Sequence, residues 1–442
     1  MSDDTSPSSV STGHERSTGV ATAESVEHVA TRRPRRVRVS PRLVAHVAAW
    51  CGGYVALLSL LLYIGRHNQI PFQNPTNPDA GNDGLGLLVR QLLGRPDRRD
   101  FLLDYASAHA LTHGVDAYAS SSSLIRGLGL SWPGVSGANP HPPTLLIIVL
   151  PFTLLSYGPA LAAWALAMVG TFLATLRLVG VPLRYAVGVA FGLAITFPGA
   201  AGIGNPVPII GLGIALAYRY RDSPIVAALG IVLAAAPKGS GLILALPFLL
   251  AGRIRTLAYA AVCYLLSAAI PLIWQTDIWS RYLDAGIKTL NDNAHDRGDN
   301  ASLLYLAHDL WGLSYNTTVV LLTVVAVALA ITQRDLFWPT AWATVAMLPI
   351  GWMYSLLTLL PLVTFAVLRS PRRTVGLAAA ATAVAAASPP NGGWPTIAFP
   401  IVLGLVTAMY LLMNRPQPVL WLPPQVLRHV PRRLQFLAAA GG

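Results

Sequence analysis

Long apolar runs, separated by short basic turns and interrupted by two polar loops, set the pattern of this chain. Runs of transmembrane type begin near residues 43, 143, 158, 182, 205, 223, 239, 255, 317, 337, 352, 374 and 396. Several fall short of the roughly 20 residues that a straight bilayer span needs. They predict an all-α polytopic membrane protein with about 12 transmembrane helices, some of them broken or re-entrant. The two long polar loops cover about 66–142 and 276–316. Within the first, Asp100 and Asp104 stand four residues apart, which a helix places on one face. Ala106, Ala108, Ala110 and Leu111 favour that helix, and Gly114 is suited to end it.

Composition sharpens the membrane reading. Of 442 residues, 54% are hydrophobic and 11% charged, too few polar residues to clothe a water-soluble domain of ordinary surface. Residues 1–42 have no apolar run and read as a disordered, basic cytoplasmic tail without a signal peptide. Residues 43–413 then form the membrane domain and 414–442 a C-terminal tail. Arg32, Arg33, Arg35, Arg36, Arg38 and Arg42 directly precede the first span, which places the N-terminus in the cytoplasm and the loop 66–142 outside. Basic turns at Arg219/Arg221, Arg253/Arg255 and Arg369/Arg372/Arg373 read as cytoplasmic, so the loop 276–316 shares the outer face with the first. Both anchors hold only if one segment between 143 and 252 fails to cross, and 143–156 is the expected half-span. The net charge of +12 then reflects topology and anionic-lipid contacts, with no nucleic-acid partner implied. Cys51 and Cys263 lie in apolar segments and carry no disulfide or metal spacing.

The placement of charge also limits where chemistry can occur. All three glutamates lie in the N-terminal tail, and the aspartates beyond it gather in the two outer loops, except Asp222 and Asp335 in short turns. Any carboxylate chemistry is therefore expected on the outer side. The chain has two lysines, Lys238 and Lys288. Lys238 interrupts an apolar region in Ala236-Pro-Lys-Gly-Ser240, as a lysine snorkelling to the interface or as a phosphate contact. His295-Asp-Arg297 and Asp299-Asn-Ala-Ser302 stand in the second loop, where an Asn cap on a helix starting near Ser302 is the plain structural reading. No Walker loop, dinucleotide glycine motif, His-Glu-x-x-His or Cys cluster occurs.

The order Asp100-Phe101, Tyr105, Gly114, Asp116, Tyr118 and Pro142-Pro143 resembles glycosyltransferase family 87. His141 stands where that family usually has Tyr before the prolines. Gly204-Asn205 is similar to the family's helix start, Asn300-Ala-Ser302 to its Asn-x-Ser, and Leu348-Pro-Ile-Gly-Trp352 to its Ser-Pro-x-x-Trp. At Lys238 the proline precedes the lysine instead of following it.

The resemblance implies a GT-C-type fold, an inverting single displacement and no cofactor or required metal. The implied donor is a polyprenyl-phosphate-linked mannose or arabinofuranose, and the acceptor a cell-envelope glycolipid or polysaccharide. The implied location is the bacterial inner membrane, multi-pass, with the site facing the periplasm. Asp100 is the expected base, with Asp104 in reserve. Lys238, His141, His295 and Arg297 are the expected phosphate contacts, and Asn205 and Asn300 the further substrate contacts. A transporter or flippase of a lipid-linked envelope intermediate is the competing reading, and a scaffold subunit a third. Transporters commonly carry ionisable groups deep within their spans, whereas here the acids gather in two loops.

Overall fold

The computed structural model describes residues 100–130, 137–183, 186–187, 204–296, 302–333, 335–348, 353–387 and 394–413. All belong to one compact unit, residues 41–442. The expected tail 1–42, the first span near 43 and the C-terminal tail 414–442 lie outside the described residues.

The described residues form helices and no strand. In chain order they are α1 (Asp100–Thr112), α2 (Ser121–Gly127), α3 (Pro143–Val149), α4 (Tyr157–Leu178), α5 (Val207–Arg219), α6 (Pro224–Ala235), α7 (Ala245–Leu250) and α8 (Ile254–Ala269). After them come α9 (Ile278–Arg281), α10 (Ile287–Asp296), α11 (Leu303–Trp311), α12 (Tyr315–Gln333), α13 (Phe337–Ala346), α14 (Leu360–Arg369), α15 (Pro371–Ala387) and α16 (Trp394–Leu412). The apolar runs expected from 143 onward coincide with these helices to within a turn, apart from the run at 182, which is only partly described, and the runs at 239 and 352, which open with the 3-10 helices Ser240–Leu244 and Met353–Leu359 before α7 and α14.

Length separates the helices into two kinds. Tyr157–Leu178 and Ile254–Ile273, the latter being α8 with its closing 3-10 turn, are long and apolar enough to cross a membrane. Among the shorter apolar helices are Pro143–Leu154, Pro224–Ala235 and Ser240–Leu250. Pro143–Leu154 reaches about 18 Å at 1.5 Å per residue, against about 30 Å of hydrocarbon. Large apolar side chains stand uncovered on α8 and α12, with Leu265 66% and Val324 60% exposed, a pattern foreign to a surface that meets water.

Helices α5 and α6 form a tight antiparallel pair. A Cβ on Gly213 would stand 2.5 Å from the Ala234 nitrogen, and one on Gly230 would stand 2.5 Å from the Ala217 nitrogen, so the two backbones touch where no side chain fits. Because the connection is short, the residues just before α5 and just after α6 come to the same end of the pair. Those residues are Asn205 and Lys238. The chain after α6 folds back sharply at Gly239 (φ 68°), and Gly241 lies so close to Ala234 that a Cβ there would stand 2.2 Å from its carbonyl.

The two polar loops pack on each other. The Arg281 guanidinium donates to both Asp116 and Asp277, the Ala117 N–H donates to Gln275 Oε1 at 3.3 Å, and the Ala138 N–H donates to Thr289 Oγ1 at 3.0 Å. Gly286 approaches the Asn139 carbonyl so closely that a Cβ would stand 2.9 Å from it. Residues joined by direct hydrogen bonds lie on one face of any membrane the chain spans, as the charge pattern requires. Single cysteines at the exposed positions His113 and Asp284, in a background with the native cysteines removed, are therefore expected to react together with an impermeant maleimide. Labelling of one without the other in intact cells contradicts the packing.

Candidate functional site

Helix α1 carries the expected carboxylates and is anchored by aromatic packing. Phe101 is fully buried and stacks on Trp164 of α4 with ring centroids 4.8 Å apart. The Trp164 indole N–H donates to the Gly204 carbonyl at 2.7 Å. Gly204 has φ 73°, and a Cβ on it would stand 2.6 Å from Phe101 Cβ. The glycine is thus required both by conformation and by the approach of α1.

The next residue uses that approach. Asn205, fully buried, accepts from the Val207 N–H at the start of α5 through Oδ1 and donates through Nδ2 to Asp100 Oδ2 at 2.9 Å. The backbone contact fixes which way the amide faces, and so aims its donor at the carboxylate. Asp100 is half-buried. Burial pushes the Asp100 carboxyl above the usual carboxylate range. The Asn205 hydrogen bond and the nearby His141 and Lys238 charges oppose that rise, and Asp104 adds to it.

One turn further along α1, Asp104 is fully buried. Its Oδ1 accepts from Asn139 Nδ2 at 3.0 Å and pairs with His141 Nδ1 at 2.8 Å. With a carboxylate opposite, Nδ1 is the donor. The same Asn139 amide also donates to Ser107 Oγ at 3.2 Å. Asp104 Oδ2 has no hydrogen-bond partner among the described residues. Lys238 is half-buried and lies within electrostatic range of both Asp100 and Asp104. The Thr144 hydroxyl of α3 donates to the Ala236 carbonyl at 2.8 Å, tying the turn that carries Lys238 to the segment that carries His141.

Asp100, Asp104, His141, Asn205 and Lys238 therefore come together from four separated segments. The helix α10 includes His295, but its side chain lies outside the described residues, as do Arg297 and Asn300. The cap at the second loop is a correction in detail. Ser302, not an asparagine, caps α11, its hydroxyl accepting from the Tyr305 N–H at 3.1 Å. Asp335, read as a turn residue, is 3% exposed and accepts from the Phe337 N–H at 2.9 Å. Asn139 is the site residue that sequence reasoning did not assign. Its signal was an amide placed directly in the Pro-rich return of the loop, beside the histidine.

The glycine at 204 offers a direct test of how Asp100 is positioned. Gly204→Ala adds a Cβ into Phe101 and places alanine in the left-handed region, a strain of about 1–3 kcal/mol. Purified Gly204→Ala protein is expected to unfold at lower temperature than the parent and to lose activity. An unchanged melting curve contradicts the close approach.

Residues 140–334 match the profile of glycosyltransferase family 87. No curated protein and no solved structure matches the chain. The matched segment begins at the Pro140-His141 return and includes Asn205, Lys238 and the second polar loop, while α1 with its two aspartates lies just before it. The match supports the resemblance that the motif order implied: over residues 140–334 this chain is similar to glycosyltransferase family 87.

Proposed function

We propose that the chain is a polytopic bacterial inner-membrane enzyme that moves mannose or arabinofuranose from a polyprenyl-phosphate donor to a cell-envelope glycolipid or polysaccharide on the outer face. The observation that carries this reading is a half-buried carboxylate, Asp100, oriented by Asn205 and within electrostatic range of a half-buried lysine at a break between apolar helices. Uncovered apolar faces on α8 and α12 suit contact with lipid tails, and the broken segments suit a cavity reached from within the bilayer. The donor's long apolar tail fits such a route.

Chemistry of this kind needs two protein functions. As the acceptor oxygen attacks the anomeric carbon, its proton must be taken, and the bond to phosphate must break with its electrons on the phosphate oxygen. Asp100 is the base in this reading. A carboxylate pushed upward by burial is a stronger base than one in water, so its environment favours the role. Lys238 supplies positive charge for the phosphate. His295, Arg297 and Asn300 remain part of the proposal as contacts from the second loop. A flippase reading shares the membrane setting but gives no use to a half-buried base near a lysine, and the family match favours transfer.

Activity of membranes with radiolabelled polyprenyl-phosphate mannose and arabinofuranose tests the donor class, and the reading predicts transfer from one of them. Asp100→Asn keeps the side-chain shape and the contact to Asn205 but cannot take the proton. It is expected to lower single-turnover transfer by roughly a hundredfold or more, and a near-normal rate removes Asp100 from the role. Because the carboxylate form is the base and its pKa is raised, kcat/KM is expected to climb with pH to a plateau. The climb should lie above the ordinary carboxylate range. Asn205 stabilises the charged form, so Asn205→Ala raises the Asp100 pKa further and moves that limb to higher pH. A limb that moves down, or stays, contradicts the assignment. Lys238→Ala is expected chiefly to raise KM for the donor, with Lys238→Arg retaining part of the affinity. Unchanged donor dependence would leave Lys238 as an interfacial lysine.

A further inference from the structure

His141 is fixed at more points than its partial exposure would suggest. Its Nδ1 is held by Asp104 Oδ1 at 2.8 Å, its backbone N–H donates to Asn139 Oδ1 at 2.9 Å, and its carbonyl accepts from the Tyr118 hydroxyl at 2.7 Å. Pro142 and Pro143 follow it directly, the latter opening α3. Its side chain keeps 13% exposure while that of Asp104 keeps none. The buried carboxylate thus cannot meet a substrate in this arrangement, and the imidazole is the exposed tip of the pair. With Nδ1 occupied by Asp104, the nitrogen left for a ligand is Nε2. The ring also stands close enough to Asp100 for its charge to act on that carboxyl.

We propose that His141 is a catalytic acid for the departing lipid phosphate, and that Asp104 is its positioning residue and not a second base. The proposal rests on the transfer reaction above and assigns its other proton. As the acceptor oxygen bonds to the anomeric carbon, its proton passes to the Asp100 carboxylate. The carbon–oxygen bond to phosphate breaks, its electron pair going to that oxygen, and the oxygen receives the proton on His141 Nε2. An imidazolium set between Asp104 and the phosphate has both N–H groups accepted. After the products leave, the proton on Asp100 is lost to solvent and His141 regains one, which restores both groups. Such acid assistance is worth roughly a hundredfold or more in rate.

A double-mutant cycle on purified enzyme, with kcat and donor KM measured separately, tests this. Asp104→Asn preserves shape and is expected to lower kcat by roughly tenfold or more, with donor KM little changed. His141→Ala is expected to lose more and to regain turnover with added imidazole. In the His141→Ala background, Asp104→Asn should cost little further without imidazole, because the residue it positions is gone. Equal losses from Asp104→Asn in both backgrounds would make Asp104 a structural residue and overturn the proposal, as would the absence of any imidazole rescue in a folded His141→Ala protein. Should Asp100→Asn retain normal rates while the cycle shows coupling, the base assignment fails and the acid assignment stands. Loss of the Asp100 variant without coupling gives the reverse.

Discussion

The carboxylate of Asp104, held inside the protein by Asn139 and His141, is the contact on which the arrangement depends. A buried carboxylate left without partners costs about 3–5 kcal/mol relative to its paired state. The loop that returns to α3 must therefore seat its amide and imidazole against α1, and this draws residues far apart in the chain to one place. The same helix carries Asp100, one turn earlier, which meets Asn205 at the start of α5. Two carboxylates four residues apart thus act as two fastenings on one face, each reaching a different segment.

Close backbone approaches complete the geometry. Glycines at 213 and 230 let α5 and α6 touch, which brings Asn205 and Lys238 to the same end. Gly204 lets α1 lie against that end, and Trp164 closes the contact from α4. The fold around the acids is consequently set by small residues and one aromatic stack, while the polar groups fix orientation. Preorganisation of this kind matters for catalysis because groups already aimed at a reacting atom need not be reordered during the reaction.

Much of this was legible in the chain. Apolar runs gave helix positions because hydrophobic length is a direct physical signal, and the four-residue spacing placed Asp100 and Asp104 on one face. The charge pattern put the two polar loops together, and Arg281 with Asp116 shows them in contact. What sequence did not reveal depends on distance in the chain. Asp104 and Asn139 are 35 residues apart, with no periodicity linking them. Asp335 follows Gln333 and Arg334 and reads as a polar turn, yet tertiary packing encloses it. Among the described residues, prolines and 3-10 turns also divide several apolar runs, as at Pro143–Leu154 and Ser240–Leu250, into helices shorter than a straight span.

The central claim is that donor phosphate meets the protein where α1, the Pro-rich return and the Lys238 turn converge. Photo-crosslinking with a polyprenyl phosphate carrying a diazirine beside its phosphate, followed by peptide mapping, reads that location directly. The account predicts adducts in residues 100–118, 139–144 and 236–241, reduced by competition with unlabelled polyprenyl phosphate. Competable adducts confined to the segment around Asp335 and Arg369, with none at those three, would contradict it.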